Sequence, residues 1–346
     1  MSHPHGASPD RTHSRGPSRV LISGGAGFIG SHLADLLLAR GDFVTVVDNL
    51  STGRRANLPD AHPSLRFIEA DLDQALAAFG PGETFHEVYH LAAAVGVKLV
   101  IDDPIGSIET NIGQTAALLR FAVRAGPDGR PARTLIASSS EVYGKSARVP
   151  FREDDDVQYG PTTVSRWSYA QTKAIDEYLA LAYHRTHALP VVAVRFFNTV
   201  GPRQVGEYGM VLPRFVGAAL RGNDLQVHGD GSQSRCFCDV RDVAGALPAL
   251  IASPSCAGRV LNLGSDRSIT IRELADLVVR VTQSSSRLAF VPYAAAYAQG
   301  FEDLLVRRPD LTRVREAIGF HARVPLEQTI RDVAASLREG ADRSRP

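Results

Sequence analysis

The chain has 346 residues, 44% of them apolar, and a formal net charge of +1. That size is enough for a large buried core, and the near-neutral charge gives no electrostatic basis for binding nucleic acid or an anionic membrane. No apolar run reaches the ~20 residues that span a bilayer. Cys236, Cys238 and Cys256 are odd in number, and one Cys-x-Cys without a histidine partner is a poor zinc site, so no metal is expected. Reduced thiols fit a cytoplasmic location.

Residues 1–18 are rich in His, Ser, Pro, Gly and Arg and have no apolar h-region, so they read as a disordered tail and not a signal peptide. Val20-Leu21-Ile22-Ser23 is a short apolar strand. Gly24-Gly25-Ala26-Gly27-Phe28-Ile29-Gly30 follows, then an amphipathic helix from Ser31 to Arg40, then a second buried strand, Val44-Thr45-Val46-Val47, ending in Asp48. Strand, glycine turn, helix, strand and acid in this order form the dinucleotide-binding fingerprint. Gly24 permits the tight turn, Gly27 lets the backbone approach a pyrophosphate, and Gly30 allows close helix–strand packing. The helix N-terminus receives the anion. Asp48 can accept hydrogen bonds from the adenosine ribose hydroxyls and would repel a 2′-phosphate, which favours NAD over NADP.

Strands and helices keep alternating. Residues 65–70 read as a strand running into Asp71-Leu72, placed to face an adenine. Residues 87–93 form another, finishing in Leu91-Ala92-Ala93, small enough for a cofactor to lie close. A long helix spans 104–124, a strand at 134–137 runs into Ser138-Ser139-Ser140-Glu141-Val142-Tyr143-Gly144, a helix spans 167–187, and a strand spans 191–195. Such alternation implies a parallel, doubly wound sheet with right-handed crossovers and ligands at the carboxyl ends of its strands. The glycine turn, Asp48, Asp71, Ala92-Ala93, Ser139 and Tyr169 all fall at that edge or on the helices beside it.

Tyr169 and Lys173 are the most telling pair. The chain has three lysines, Lys98, Lys145 and Lys173, against 35 arginines (38 basic residues minus three). A spacing of four puts both side chains on one helix face. There an ammonium can lower the pKa of the phenol, about 10 when unperturbed, toward the range of a useful base.

Over residues 19–335 the chain resembles the extended short-chain dehydrogenase/reductases of the nucleotide-sugar epimerase/dehydratase/decarboxylase group. The resemblance rests on Ser-Gly-Gly-Ala-Gly-Phe-Ile-Gly (23–30), Asp48-Asn49-Leu50-Ser51-Thr52-Gly53, His90-Leu91-Ala92-Ala93 and residues 138–144. It continues in Tyr169-x-x-x-Lys173, Arg195-Phe196-Phe197-Asn198-Thr199-Val200-Gly201-Pro202-Arg203 and Gly229-Asp230-Gly231-Ser232-Gln233-Ser234-Arg235. It implies a Rossmann-type α/β NAD domain at 19–195 and a smaller α/β substrate lobe made mainly from 196–346, partly interleaved. It also implies NAD as cofactor, held by Gly24, Gly27, Phe28, Ile29, Gly30, Asp48, Asn49, Ser51, Thr52, Gly53, Asp71, Leu72, Leu91, Ala92 and Ala93 together with Tyr169 and Lys173. A homodimer through the helices at 104–124 and 167–187 is expected.

The resemblance implies that Tyr169 takes a proton from a sugar hydroxyl while C4 gives hydride to NAD, that Lys173 holds the nicotinamide ribose and depresses the tyrosine pKa, and that Ser139 positions the developing carbonyl. From the 4-keto sugar, epimerisation, decarboxylation and dehydration diverge. Ser140 stands where dehydratases typically have an acid. Glu141 resembles the Thr-Ser-Glu of uronate decarboxylases, as do Arg166-Trp167-Ser168-Tyr169 and the stretch 235–242. Val95-Gly96-Val97-Lys98 instead looks like the Gly-Val-Arg of uronate 4-epimerases, with Lys98 near a carboxylate or diphosphate. A 4-epimerase is the first expectation and a uronate decarboxylase with Glu141 assisting is the alternative. A non-catalytic NAD-binding sensor is disfavoured because Ser139, Tyr169 and Lys173 are all retained. For the substrate, the resemblance places Asn198 and Arg203 near the sugar or diphosphate, Leu212 with Pro213, Val227 and His228 around the base, and Arg235 with Arg307 on the phosphates. UDP is the default nucleotide.

Overall fold

The computed structural model describes residues 16–80, 82–93, 103–206, 210–292 and 306–343. The first strands are β1 (Arg19–Ser23), β2 (Phe43–Asp48), β3 (Leu65–Glu69), β4 (Glu87–His90), β5 (Arg133–Ser139) and β6 (Val191–Phe196), and they lie in the order β6-β5-β4-β1-β2-β3. Every neighbouring pair is parallel. Helices cover both faces, so the strands read as continuous apolar runs: Val20, Leu21 and Ile22 of β1 are fully buried. Strand order reverses between β1 and β4, and the carboxyl ends of those two strands open the crevice where ligands bind in such sheets.

The helix after the glycine turn spans Phe28–Ala39, three residues earlier than its apolar pattern predicts. Gly27 is its N-cap, so the first, unpaired N–H groups lie inside the glycine motif itself. Its buried stripe, Leu33, Ala34, Leu37 and Leu38, packs with Val243, Leu247 and Leu250 of the helix Val240–Ala252. The helix Pro104–Ala125 has Pro at its first position and Asp103 as N-cap, whose carboxylate accepts from the Gly106 amide at 3.0 Å. It lies against the helix Ser168–His187, which carries Tyr169 and Lys173. No helix among the described residues is long and apolar enough to cross a membrane.

After β6 the chain builds smaller units from β7 (Thr199–Val200), β8 (Leu225–His228), β9 (Ser234–Cys236) and β10 (Cys238–Asp239). It then returns to the main sheet: β11 (Arg259–Leu263) pairs in parallel with β6, giving seven strands among the described residues. The lobe is completed by β12 (Ser268–Thr270), β13 (Leu288–Val291) and β14 (Val306–Arg307); β9 sits between β12 and β14, and β8 pairs with β13. The helices Val211–Leu220, Ile271–Thr282 and Leu326–Arg343 pack on one another, burying Leu212, Phe215, Val216, Leu274, Val278 and Ile330. A capping box between Thr270 and Glu273 starts the second of these helices.

Candidate active site

A single cavity of about 1150 Å³ runs from the glycine turn, across the carboxyl ends of β1, β4 and β5, to the lobe. At one end lie Gly24, Gly27, Phe28, Ile29 and Gly30, with Asp48, Asn49, Ser51 and Thr52 beyond them. Gly24 has φ +72°, and a Cβ there would stand 2.6 Å from the Ala92 amide nitrogen. A Cβ on Gly30 would stand 2.2 Å from the Gly24 carbonyl oxygen, so only glycine seats this turn against its helix. The Asp48 carboxylate accepts from the Ala26 and Leu50 amides at 2.9 Å each, tying the glycine turn to the end of β2. Each oxygen keeps a further lone pair for ribose hydroxyls. Gly53 packs on this carboxylate, since a Cβ there would meet Oδ1 at 2.8 Å. Leu72, Leu91, Ala92 and Ala93 line the cavity. Asp71 is not on its wall; its side chain accepts from Asn49 Nδ2 at 2.8 Å, so it acts on the site through Asn49. Glycines without side chains, exposed helix-start amides and a ribose-ready acid fit a dinucleotide.

At the centre, Ser139 ends β5 and Tyr169 and Lys173 face it from the helix behind. The Ser139 hydroxyl hydrogen-bonds the Tyr169 phenol and accepts the Glu141 amide at 3.2 Å. Burial, first, and the negative charge of Glu141 push the Tyr169 phenol well above its ordinary value; the Ser139 hydrogen bond opposes them. Lys173 Nζ donates to Asp176 Oδ2 at 3.1 Å, and both side chains are buried, so the ammonium lies between the phenol's helix turn and a carboxylate one turn further along.

Glu141 differs most from expectation. Arg307 and Arg166 both ion-pair with its carboxylate, Arg166 Nη2 to Oε2 at 2.9 Å and Arg307 Nη1 to Oε1. Burial opposes its ionisation, yet the two guanidiniums outweigh burial and hold the carboxyl at about 2. Arg307 thus ion-pairs with Glu141 while sharing the cavity wall with Arg235. It arrives there because β14 pairs with β9, and Arg307 sits in register with Arg235. Ser140, also on the cavity wall, is buried behind this pair.

Towards the lobe the cavity is walled by Asn198, Arg203, Leu212, Pro213, His228 and Arg235. Asn198 (φ +31°) and Arg203 (φ +69°) hold left-handed backbone that non-glycine residues adopt at a cost. Arg203 is fixed by Asp35 of the glycine-turn helix at 2.8 Å. Val227, expected against the nucleobase, turns its side chain into the lobe core, because successive residues of β8 point to opposite faces. Its neighbour His228 takes the cavity side. Lys98 lies outside the described residues.

Several supporting residues escaped the sequence reading. Arg195 makes a two-pronged bond to Glu177 (Nε to Oε1 and Nη2 to Oε2, both 2.8 Å), and Ser138 Oγ donates to Glu177 at 2.5 Å. These bonds fix the Tyr169 helix to β5 and β6. Asn262 of β11 accepts from the Tyr143 hydroxyl at 2.7 Å and donates to the Phe151 carbonyl, so a strand 119 residues away supports the turn that carries Glu141. Only Asp176 had a readable signal, as third member of a 169, 173, 176 stripe on one helix face.

A doubly wound sheet with a dinucleotide cradle and a Ser–Tyr–Lys centre defines an NAD-dependent enzyme. The profile of the NAD dependent epimerase/dehydratase family matches residues 20–264, and the chain belongs to this family. It is 40% identical, over 93% of its length and 98% of the relative's, to the UDP-N-acetyl-alpha-D-glucosaminuronate decarboxylase of Bacillus cytotoxicus. Among solved structures it is similar to the UDP-N-acetylglucosamine 4-epimerase of Methanobrevibacter ruminantium (TM-score 0.82, 28% identity, 94% and 99% of the two chains). It is also similar to the dTDP-glucose 4,6-dehydratase of Streptomyces venezuelae, solved with NAD bound (TM-score 0.81, 30% identity, 94% and 98%). NAD is therefore the cofactor. Epimerisation was the first expectation and decarboxylation the alternative; the comparisons support the alternative better.

Proposed function

We propose that this protein is a decarboxylase of a UDP-linked hexuronate. The observation that carries this reading is Glu141 held between Arg166 and Arg307 on the wall that also carries Ser139 and Tyr169. Simple 4-epimerisation calls for no charged groups beyond the Tyr–Lys pair. A substrate that carries a carboxylate calls for fixed cations, and loss of CO2 calls for a site that handles moving negative charge.

The cofactor would lie on the glycine turn with Asp48 at its adenosine ribose and Lys173 at its nicotinamide ribose, and when bound it supplies reversible hydride chemistry at C4. Tyr169 Oη takes the proton of the C4 hydroxyl and Ser139 Oγ donates to the same oxygen. With C4 as a ketone, the C6 carboxylate is attached to the carbon next to a carbonyl. The C5–C6 bond then breaks, its electron pair passing into the carbonyl oxygen, where Ser139 and the reprotonated Tyr169 stabilise the charge. CO2 leaves and a solvent proton takes its place at C5. Arg307 and Arg166 hold the departing carboxylate's end of the sugar, Glu141 fixes both guanidiniums, and Arg235 meets the diphosphate.

Ile105 and Tyr178, 70% and 71% exposed, with Ile108 and Ile175, stand out from the two adjacent helices Pro104–Ala125 and Ser168–His187. A second copy of the chain covering them in a four-helix interface is part of the proposal.

Proton NMR with NAD and three sugars, UDP-glucuronate, UDP-N-acetylglucosaminuronate and UDP-N-acetylglucosamine, is the test. The expected result is loss of C6 from one of the two uronates, giving a sugar with a CH2 at C5. A new anomeric signal with all carbons retained would make the protein an epimerase.

A further inference from the structure

Among the buried charges that the mechanism does not use, one lies beside the Tyr169–Lys173 pair. Asp176 is 1% exposed, absent from the cavity wall, and bonded to Lys173, itself 2% exposed, at 3.1 Å. Tyr169, Lys173 and Asp176 fall at i, i+4 and i+7 of the helix Ser168–His187, so base, ammonium and carboxylate form one stripe. A hydrogen-bonded chain reaches Asp176 from the other side. Ser23 Oγ lies 2.6 Å from His90 Nδ1, His90 Nε2 lies 3.1 Å from Thr115 Oγ1, and the Thr115 hydroxyl hydrogen-bonds Asp176. These contacts are satisfied together when Ser23 donates to His90 Nδ1, His90 donates from Nε2 to Thr115, and Thr115 donates to Asp176. His90 is neutral, because burial, reinforced by Lys173, lowers it to about 3. Every link therefore directs a proton toward the carboxylate. The chain starts at Ser23, the last residue before the glycine turn.

We propose that Asp176 is a positioning residue whose buried negative charge anchors the Lys173 side chain and, acting on Tyr169, sets the acid limb of the reaction. The two effects have one origin. A buried ammonium without a counter-charge is costly, so Asp176 stabilises the charged lysine. The same negative charge disfavours a phenolate two turns away. Neutralising it removes that opposition, so the phenol ionises at lower pH. Among the described residues, the other charged or titratable groups around the pair include Glu177 beside Asp176, its partner Arg195, Glu141 at the phenol with its partners Arg166 and Arg307, and neutral His90.

The inference rests on C4 oxidation by Tyr169, the first half of the proposed reaction. The experiment is the pH dependence of kcat and kcat/KM for the NAD-loaded wild type, Asp176→Asn and Asp176→Glu on whichever uronate turns over. In Asp176→Asn the acid limb should move to lower pH, so that the fraction of plateau rate kept below the wild-type midpoint rises about threefold, equivalent to about half a pH unit. Its plateau kcat should fall as Lys173 loses its anchor. Asp176→Glu, which keeps the charge, should keep the wild-type midpoint. An Asp176→Asn midpoint that is unchanged or higher overturns the inference, whatever happens to the plateau. If Asp176→Asn does not fold, Asp176→Ser, which also removes the charge, serves instead; its limb should likewise move down, and a limb that stays put overturns the proposal. Wild type silent on every sugar is a different failure, that of the decarboxylase reading.

Discussion

Glu141 is where this site departs from a plain Ser–Tyr–Lys centre. Its side chain is 18% exposed and bears on two arginines, so its charge serves the fold and, in the proposed reaction, the chemistry. Glu141→Gln should lower kcat about a hundredfold or more in a decarboxylase and leave NAD binding intact; turnover within a fewfold of wild type would remove Glu141 from the reaction. The same pair has an acid signature. A folded-state value of about 2, against the ordinary 4.5, means stability that is fully present above 4.5 and lost as pH falls from 4.5 toward 2. The contribution is on the order of 3 kcal/mol. Wild type should therefore lose melting temperature more steeply than Glu141→Gln across that window, whereas parallel curves would mean an unpaired carboxylate.

At the scale of elements, the glycine turn and its helix form a unit with no spare volume. Gly30→Ala would press a methyl onto the Gly24 carbonyl, 2.2 Å away on the present backbone. The helix must then shift off the strand, costing about 2 kcal/mol, and the helix-start amides, which we expect to meet the pyrophosphate, shift with it. Calorimetry should show weakened NAD binding alongside a lower melting temperature. Wild-type affinity in a destabilised variant would uncouple packing from the cradle. The turn was legible because strand, glycines, helix and acid are local and ordered. The helix start was misplaced by three residues because its first turn is written in the glycines of the motif, which carry no apolar period. Val227 was misassigned for a related reason: in a short strand, adjacent residues share a motif but face opposite sides.

Over the whole molecule, the apolar residues left on the two neighbouring helices make a further prediction. Ile105→Glu with Tyr178→Glu should convert a dimer to a monomer by light scattering, because two buried carboxylates without partners cannot be tolerated in an apolar interface. A wild type that is itself monomeric would end the four-helix proposal. Long-range pairing also shapes the site. β11 crosses back to β6, and through Asn262 it supports the turn holding Glu141, while β14 joins β9 and delivers Arg307 to that carboxylate.

The sequence by itself determined the doubly wound sheet, the NAD cradle and the Ser139–Tyr169–Lys173 set, because each is written in residues close together and repeating with the period of a helix or strand. Tertiary structure alone decided what those residues face. Glu141 and Arg307 are 166 residues apart, and no local pattern records that one will neutralise the other. Asp176 stands within a turn of Lys173, yet only the packing of two helices and β4 around it shows that its charge is buried beside the Tyr169–Lys173 pair. Periodicity fixes which side of an element is inward, and only assembly of the elements fixes which charges meet there.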